Sequence, residues 1–270
     1  MQLVDFSDVP DLKFKYPLFF QENFAAYEKT KGYLVKIVTD GKSFMPFKTK
    51  TARFVTQAQY LYPPVKNGAR LSPKEEECFL QQFVLFCKQK KLCDFIIPPL
   101  HYSLFNSVPV NSYFSELGII AIDLERSEEQ IFKSFSNNYR NEIRKAIAEK
   151  VIVEFDQSYF ASFYKLYKST HQKQGIYFDS ETELKNMVDC LGERSCFIAV
   201  AKNENGIYGA ALILFNANEA YYFQSGAVDN CPYPGANKLL QLEIMRHLKN
   251  LGIKRYIMGG YRLGEIAGTK

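Results

Sequence analysis

Arg140 and Arg144 stand four residues apart in the segment Asn137-Asn-Tyr-Arg-Asn-Glu-Ile-Arg-Lys-Ala146. On a helix that spacing puts two guanidinium forks on one face, with Lys145 beside them and Ile143 and Ile147 on the opposite, buried edge. Two forks one turn apart near a helix start can grip a phosphate or pyrophosphate bidentately. A solvated basic face pairing with Glu142 and Glu149 is the competing reading. A second constellation is Pro234-Gly235-Ala236-Asn237-Lys238, where the loop Cys231-Pro-Tyr-Pro-Gly235 feeds a predicted helix. A helix start leaves N–H groups pointing at whatever lies ahead of it, a phosphate or the carbonyl of an acyl group included. Gly235 would allow close backbone approach there, and Asn237 and Lys238 could reach an oxygen beside the loop. Simple loop-to-helix punctuation would look the same.

Gly259-Gly260-Tyr261 follows a predicted strand and offers a substrate bare backbone, or makes a tight turn. Tyr222 and Gln224 alternate along another strand, so they would line one face of a cleft together, or fill ordinary half-buried sheet positions. No general base stands out. His171 and His247 read as exposed helix residues with no nucleophile beside them. Serine-hydrolase, dinucleotide-binding and Walker patterns are absent.

The elements that must position these residues fit in a chain of 270 residues, enough for one large domain or two modest ones. Forty-one Phe and Tyr side chains can fill a large core, and a net charge of +5 suits an anionic substrate without amounting to a nucleic-acid signature. The six cysteines form no C-x-x-C pair, and with His101, His171 and His247 they give no zinc spacing, so buried free thiols are expected and no metal. No run is long and apolar enough to span a bilayer and no signal peptide is visible, so a cytoplasmic protein is expected.

The first half predicts a strand over 32–38, a hairpin turn at Asp40-Gly41, a strand near 43–48 and a third over 53–62. Ser72-Pro-Lys-Glu75 then opens a long helix, and a short strand over 93–97 follows. The second half repeats that order: strands 196–201 and 207–215, a third over 220–226, a helix from Ala236 to Leu251 stopped by Gly252, and a strand over 254–258. Hairpin, strand, long helix and strand thus recur about 160 residues apart, with negligible identity between copies. Between them lie a strand over 118–124, helices over 127–135 and 138–149, a strand over 151–155, a helix with Phe160, Phe163, Tyr164 and Tyr167 on one face, and another with Leu184, Met187, Val188 and Leu191 inward, with boxes at Ser127 and Ser180 capping the first and last helices. The pattern predicts a mixed-sheet α/β fold with a domain boundary near residue 125.

These residues resemble the FemAB/BioF2-like acyltransferases, which include the Fem-type peptidoglycan bridge-forming aminoacyltransferases. The likeness rests on Asp123-Leu124, on Tyr139-Arg140-Asn-Glu-Ile-Arg144-Lys-Ala146, on Gly235-Ala236-Asn237 and on Gly252-Ile-Lys-Arg-Tyr-Ile-Met-Gly-Gly260. It implies an α/β (α+β) fold of two tandem Gcn5-related N-acetyltransferase-like domains, 1–125 and 126–270, each a mostly antiparallel sheet flanked by helices. The implied reaction moves an activated acyl group onto a primary amine of a cell-wall precursor, with aminoacyl-tRNA or acyl-CoA as donor, no tightly bound cofactor and possible peripheral membrane contact. No covalent intermediate is expected: the amine attacks directly, and a bulged strand near Gln224–Gly226 admits the donor.

The expected substrate contacts are Tyr139, Arg140, Arg144, Tyr222, Gln224, Gly235, Ala236, Asn237, Lys238, Gly259, Gly260 and Tyr261. The acetyl-CoA pyrophosphate loop of the wider fold group is not matched by Cys231–Asn237, which argues against acetyl-CoA. A CoA-dependent N-acyltransferase of amino sugars and a non-catalytic binder of RNA or muropeptide are the alternatives. Related chains continue past the Gly-Gly segment where this one stops at Gly268-Thr-Lys270, so the resemblance implies either a truncated chain or a minimal, inactive member.

Overall fold

In a computed structural model residues 1–9, 16–97, 99, 103–112 and 117–262 are described; His101 and the segment from residue 263 on lie outside them. The chain divides into two compact units, Met1–Ile120 with the stretch from Gly259, and Ala121–Met258.

In the first unit, β1 (Gln2–Val4) precedes α1 (Glu22–Thr30), β2 (Leu34–Thr39), β3 (Phe44–Ala52) and β4 (Val55–Tyr60). The short β5 (Val65–Lys66) and β6 (Ala69–Arg70) lead to α2 (Pro73–Lys90) and β7 (Phe95–Ile97). The sheet order is β1-β2-β3-β4-β7, antiparallel except that β7 runs parallel to β4 after the α2 crossover. The β2–β3 turn is fixed by Asp40, whose Oδ1 accepts from the N–H groups of Lys42 and Ser43 at 2.9 and 2.7 Å, with Gly41 at φ 93°. Ser72 and Glu75 form the expected capping box, and Phe79, Leu80, Phe83 and Phe86 of α2 pack on Met45, Phe47, Ala58 and Tyr60. The helix α1 carries no capping box or strong apolar stripe and escaped the sequence reading.

The second unit takes in the end of β8 (Leu117–Asp123) from Ala121 on, then α3 (Glu128–Ser134), α4 (Asn137–Ala148), β9 (Ile152–Phe155), α5 (Phe160–Gln174) and α6 (Glu181–Leu191). There follow β10 (Cys196–Asn203), β11 (Gly206–Phe215), β12 (Glu219–Ala227), α7 (Ala236–Asn250) and β13 (Arg255–Arg262). The sheet order is β8-β13-β12-β11-β10-β9. Here too a hairpin and a third antiparallel strand are followed by a crossover helix and a parallel strand. The duplicated topology expected from the sequence is therefore real: β2-β3-β4-α2-β7 answers to β10-β11-β12-α7-β13. Helix α7 buries Leu239, Leu240, Ile244 and Leu248 against Ala199, Ala211, Ile213 and Tyr256.

On the other face α5 lies close against β12 at Gly226, where a Cβ would overlap the Leu166 carbonyl carbon and the Tyr167 nitrogen. Backbone on the receiving side cannot yield as a side chain can. Gly226→Ala should destabilise the protein by about 1–3 kcal/mol, read as a lower denaturation midpoint with an unchanged slope.

Candidate active site

The parallel ladder between β12 and β13 holds for three pairs, Glu219↔Arg255, Ala220↔Tyr256 and Tyr221↔Ile257, and then ends, although β12 runs on to Ala227. One residue later β12 is bulged. Leu212 of β11 pairs with Gln224 and Ile213 with Tyr222, leaving Phe223 as the extra residue. A bulge bends its strand and increases the local twist, which turns the outer edge of β12 away from β13. The opening foreseen near Gln224–Gly226 is thus present, with its bulge at Phe223.

The bulge also breaks the two-residue alternation on which the pairing of Tyr222 with Gln224 relied. Cross-strand partners share a face, so Tyr222 lies on the face of Ile213, against α7, and Gln224 on the face of Leu212. Gln224 Nε2 reaches Asp179 Oδ2 at 3.4 Å on the α5–α6 side. The two side chains do not line one face together. Tyr222 is instead half-buried beside Tyr256, ring centroids 6.5 Å apart, and its phenol is hydrogen-bonded to Ser225 and Gln241. Gln241 in turn accepts from Tyr256 Oη at 3.1 Å.

Helix α7 starts beside this opening. The Ala236 N–H is engaged by Tyr233 O at 2.9 Å, while Asn237 and Lys238 stand in the first turn, whose N–H groups have no intrahelical carbonyl to meet. The loop ahead is held by Tyr233, whose ring packs edge-on to Tyr208 with centroids 4.7 Å apart. Gly235 sits at φ −81°, a conformation open to any residue. Its glycine is required by packing: a Cβ would overlap the Glu142 carbonyl, with Ala146 Cβ 3.1 Å away. The bare Cα of Gly235 therefore faces α4 and not a ligand, which corrects the role expected for it. Asn237 has a similar constraint, since its Oδ1 occupies the space a Cβ on Gly209 would fill.

This close approach brings α4 side chains to the start of α7. Lys238 Nζ forms an ion pair with Glu142 and lies 5.1 Å from the centre of the Tyr139 ring. The hydrogen bond from Lys238 holds the Glu142 carboxyl below the usual carboxylate range. Burial pushes the Tyr139 phenol up, with Tyr222 and Glu142 adding to it, and burial pushes Tyr222 up as well. Two neutral phenols, one ionised carboxylate and one ammonium thus converge on a helix start. The first turn of α7 carries no acid, whereas that of α2 begins with Pro73 and holds Glu75 and Glu76. Of the two crossover helices, α7 presents an N-terminus that an anionic or polarised oxygen can approach.

Arg140 and Arg144 share a face of α4, as expected, and their guanidinium groups meet neutral partners rather than the Glu142 carboxylate. Arg140 donates to Lys133 O at 2.8 Å and to Asn137 Oδ1. Arg144 donates to Asn141 Oδ1 at 2.9 Å and lies 5.8 Å over the Phe132 ring. Neither pairs with Glu142, which Lys238 and Asn138 occupy. Ile143 is buried as expected, but Ile147 is 54% exposed. Gly259, Gly260 and Tyr261 are not a turn after a strand: β13 continues through them into the first unit, Gly259 at φ 131°, and the Tyr261 ring fills the space over Gly118. His247 is not exposed either: it stacks on Phe155 at 4.2 Å, and burial lowers its pKa. All six cysteines are free, Cys78 exposed and Cys87 and Cys196 buried.

Residues 133–265 match the family model described as an acetyltransferase (GNAT) domain. Among solved structures, FemX superposes with a TM-score of 0.66 at 13% identity, covering 91% of this chain and 86% of its own. The C-terminal domain of a proposed lysylphosphatidylglycerol synthetase from Agrobacterium fabrum gives 0.53 at 13% identity, over 91% of this chain and 76% of its own. L-PGS from Bacillus licheniformis gives 0.53 at 13% identity, over 88% and 74%. No curated protein matches the sequence. Identities this low speak for the fold, and the strand, helix and ladder order above agrees with it. Residues 133–265 thus match an acetyltransferase (GNAT) domain, and the chain as a whole has the fold seen in FemX.

Proposed function

We propose that the protein transfers an activated acyl group, an aminoacyl group above all, to a primary amine of a cell-envelope precursor. The observation that carries this reading is the end of the β12–β13 ladder at Tyr221, next to an acid-free helix start and the Tyr139–Glu142–Lys238 cluster. Main-chain amides at a strand edge and in the first turn of α7 can hold the acyl carbonyl and stabilise the oxyanion that forms when the amine attacks. Collapse of that adduct expels the donor's alcohol or thiol, and the amine proton leaves with it or to water. Tyr139 and Tyr222, held neutral by burial, are suited to donate a hydrogen bond to the developing charge. Glu142, held ionised, is a weak base and better suited to orient an ammonium or the Lys238 side chain. The names FemX and L-PGS support an aminoacyl donor, and the cytoplasm is where such donors are made.

Incubating the protein with a labelled aminoacyl-tRNA, and separately with labelled acyl-CoA, in the presence of a muropeptide or amino-sugar acceptor tests the reading. Label on the acceptor from the tRNA supports it. Label from CoA alone moves it to an amino-sugar N-acyltransferase, and binding without turnover from either leaves a non-catalytic binder. Arg140→Ala with Arg144→Ala should raise KM for the phosphate-bearing substrate about 10- to 100-fold while thermal stability stays near wild type, because both side chains lie on the helix surface. Unchanged KM and turnover would remove the phosphate role from this pair.

A further inference from the structure

The turn joining β3 to β4 leaves an apolar ring bare. Pairing runs to Ala52↔Val55, so Arg53 and Phe54 form the tip, with Arg53 at φ 57°. Phe54 is 99% exposed and Val55 48% exposed. On the neighbouring β7, Phe95 sits opposite Gln57 and is 46% exposed. The base of the tip is rigid: Asp94 N donates to Thr56 O, and Thr56 N to Asp94 Oδ2, both at 2.7 Å. Those bonds tie the α2–β7 connection to the hairpin.

That connection is basic. Lys88 and Lys90 lie in the last turn of α2, and Lys91 is its left-handed cap. Across the tip Lys50 stands opposite Gln57, with its Nζ on Lys31 O at 2.9 Å. The carboxylates at this end are already engaged, Asp94 with Thr56 and Glu28 in a buried ion pair with Lys48 at 2.8 Å. Single exposed apolar side chains are common, but an aromatic tip backed by two more apolar side chains inside a basic ring is the composition of an interfacial membrane contact.

The geometry points to this end of the first unit as a docking surface for an anionic phospholipid bilayer, with Phe54 entering the headgroup layer and the Lys50, Arg53, Lys90 and Lys91 side chains meeting lipid phosphates. RNA would also satisfy the lysines. A base could stack on Phe54, but single-stranded RNA is held in a charged groove with aromatic platforms for successive bases, whereas here one ring projects from a hairpin tip beside the aliphatic Val55, so lipid is the better match. The surface belongs to the first unit and its test does not depend on the transfer reaction.

Co-sedimentation of the whole chain with phosphatidylcholine vesicles, with and without phosphatidylglycerol, decides it. The wild type should bind the anionic vesicles, release at raised salt and bind neutral ones at least about tenfold more weakly. Phe54→Asp should weaken anionic binding about tenfold or more, and Phe54→Leu should keep most of it. Lys90→Glu with Lys91→Glu should also lose about tenfold or more. Because Phe54 is bare in the fold, its variants should keep the wild-type melting temperature. Equal wild-type binding to both vesicle types, or Phe54→Asp binding like wild type, would overturn the proposal. So would variants that lose affinity for tRNA while vesicle binding stays intact.

Discussion

Gly235→Ala should lower acyl transfer by about a hundredfold, although the added methyl group touches no substrate. The residue is buried at φ −81°, ψ −7°, so alanine would meet no backbone strain of its own. Its Cβ would overlap the carbonyl oxygen of Glu142, which is main chain inside α4 and cannot rotate aside. Either α4 or the start of α7 must then move, by roughly 1 Å. That displacement separates Lys238 from Glu142 and from Tyr139, and a shift of this size near reacting groups costs about 10²-fold in rate. Overpacking adds a stability cost of about 1–3 kcal/mol. Measuring kcat/KM and the denaturation midpoint together separates the two effects, since loss of folded protein alone would lower rate only in proportion to the unfolded fraction. Wild-type activity in this variant would mean that the α4–α7 contact does not set the site.

The repeated hairpin, strand, helix and strand were legible because each piece carries a local signal. Asp40-Gly41 is a turn by its own chemistry, Ser72 and Ser180 cap by side-chain reach, and Gly252 ends α7 at φ 79°. The cluster itself was partly legible, because Tyr139, Asn237 and Lys238 fall within the segments that looked chemical.

The partnerships were hidden. Glu142 lies 96 residues from Lys238 in the chain, and nothing in either segment announces the ion pair. The bulge at Phe223 was equally silent: an extra residue leaves the hydrophobic pattern of a buried strand almost unchanged, yet it sends Tyr222 and Gln224 to opposite faces. Glycine was misread for a related reason. Gly235 answers to a neighbouring helix, whereas the sequence displays it as room for the backbone to approach a ligand.

Glu76→Ala should destabilise the protein more than Gly226→Ala or Gly235→Ala does, by about 3–5 kcal/mol. Glu76 is 0% exposed in the first turn of α2. Its carboxylate accepts from Asn106 N at 2.5 Å, Ser107 N at 3.1 Å and Ser107 Oγ at 3.4 Å, and pairs with Arg70 Nη2 at 3.4 Å. Alanine would strip the acceptor from two main-chain N–H groups, and each such loss costs about 1–3 kcal/mol. Glu76→Gln keeps an acceptor of the same shape without the charge, so it should cost less than half as much. Arg70→Ala, which removes a half-exposed partner, should cost about 1 kcal/mol or less. That ranking of denaturation midpoints, alanine far below glutamine and both below Arg70→Ala, is expected if the carboxylate works by holding the 106–107 backbone. If Arg70→Ala proved as costly as Glu76→Ala, the ion pair would be the dominant contact instead. The comparison also bears on why the two units differ. At the start of α2 a carboxylate holds the protein's own amides, whereas the start of α7, at the same place in the repeated topology, carries a lysine and no acid in its first turns.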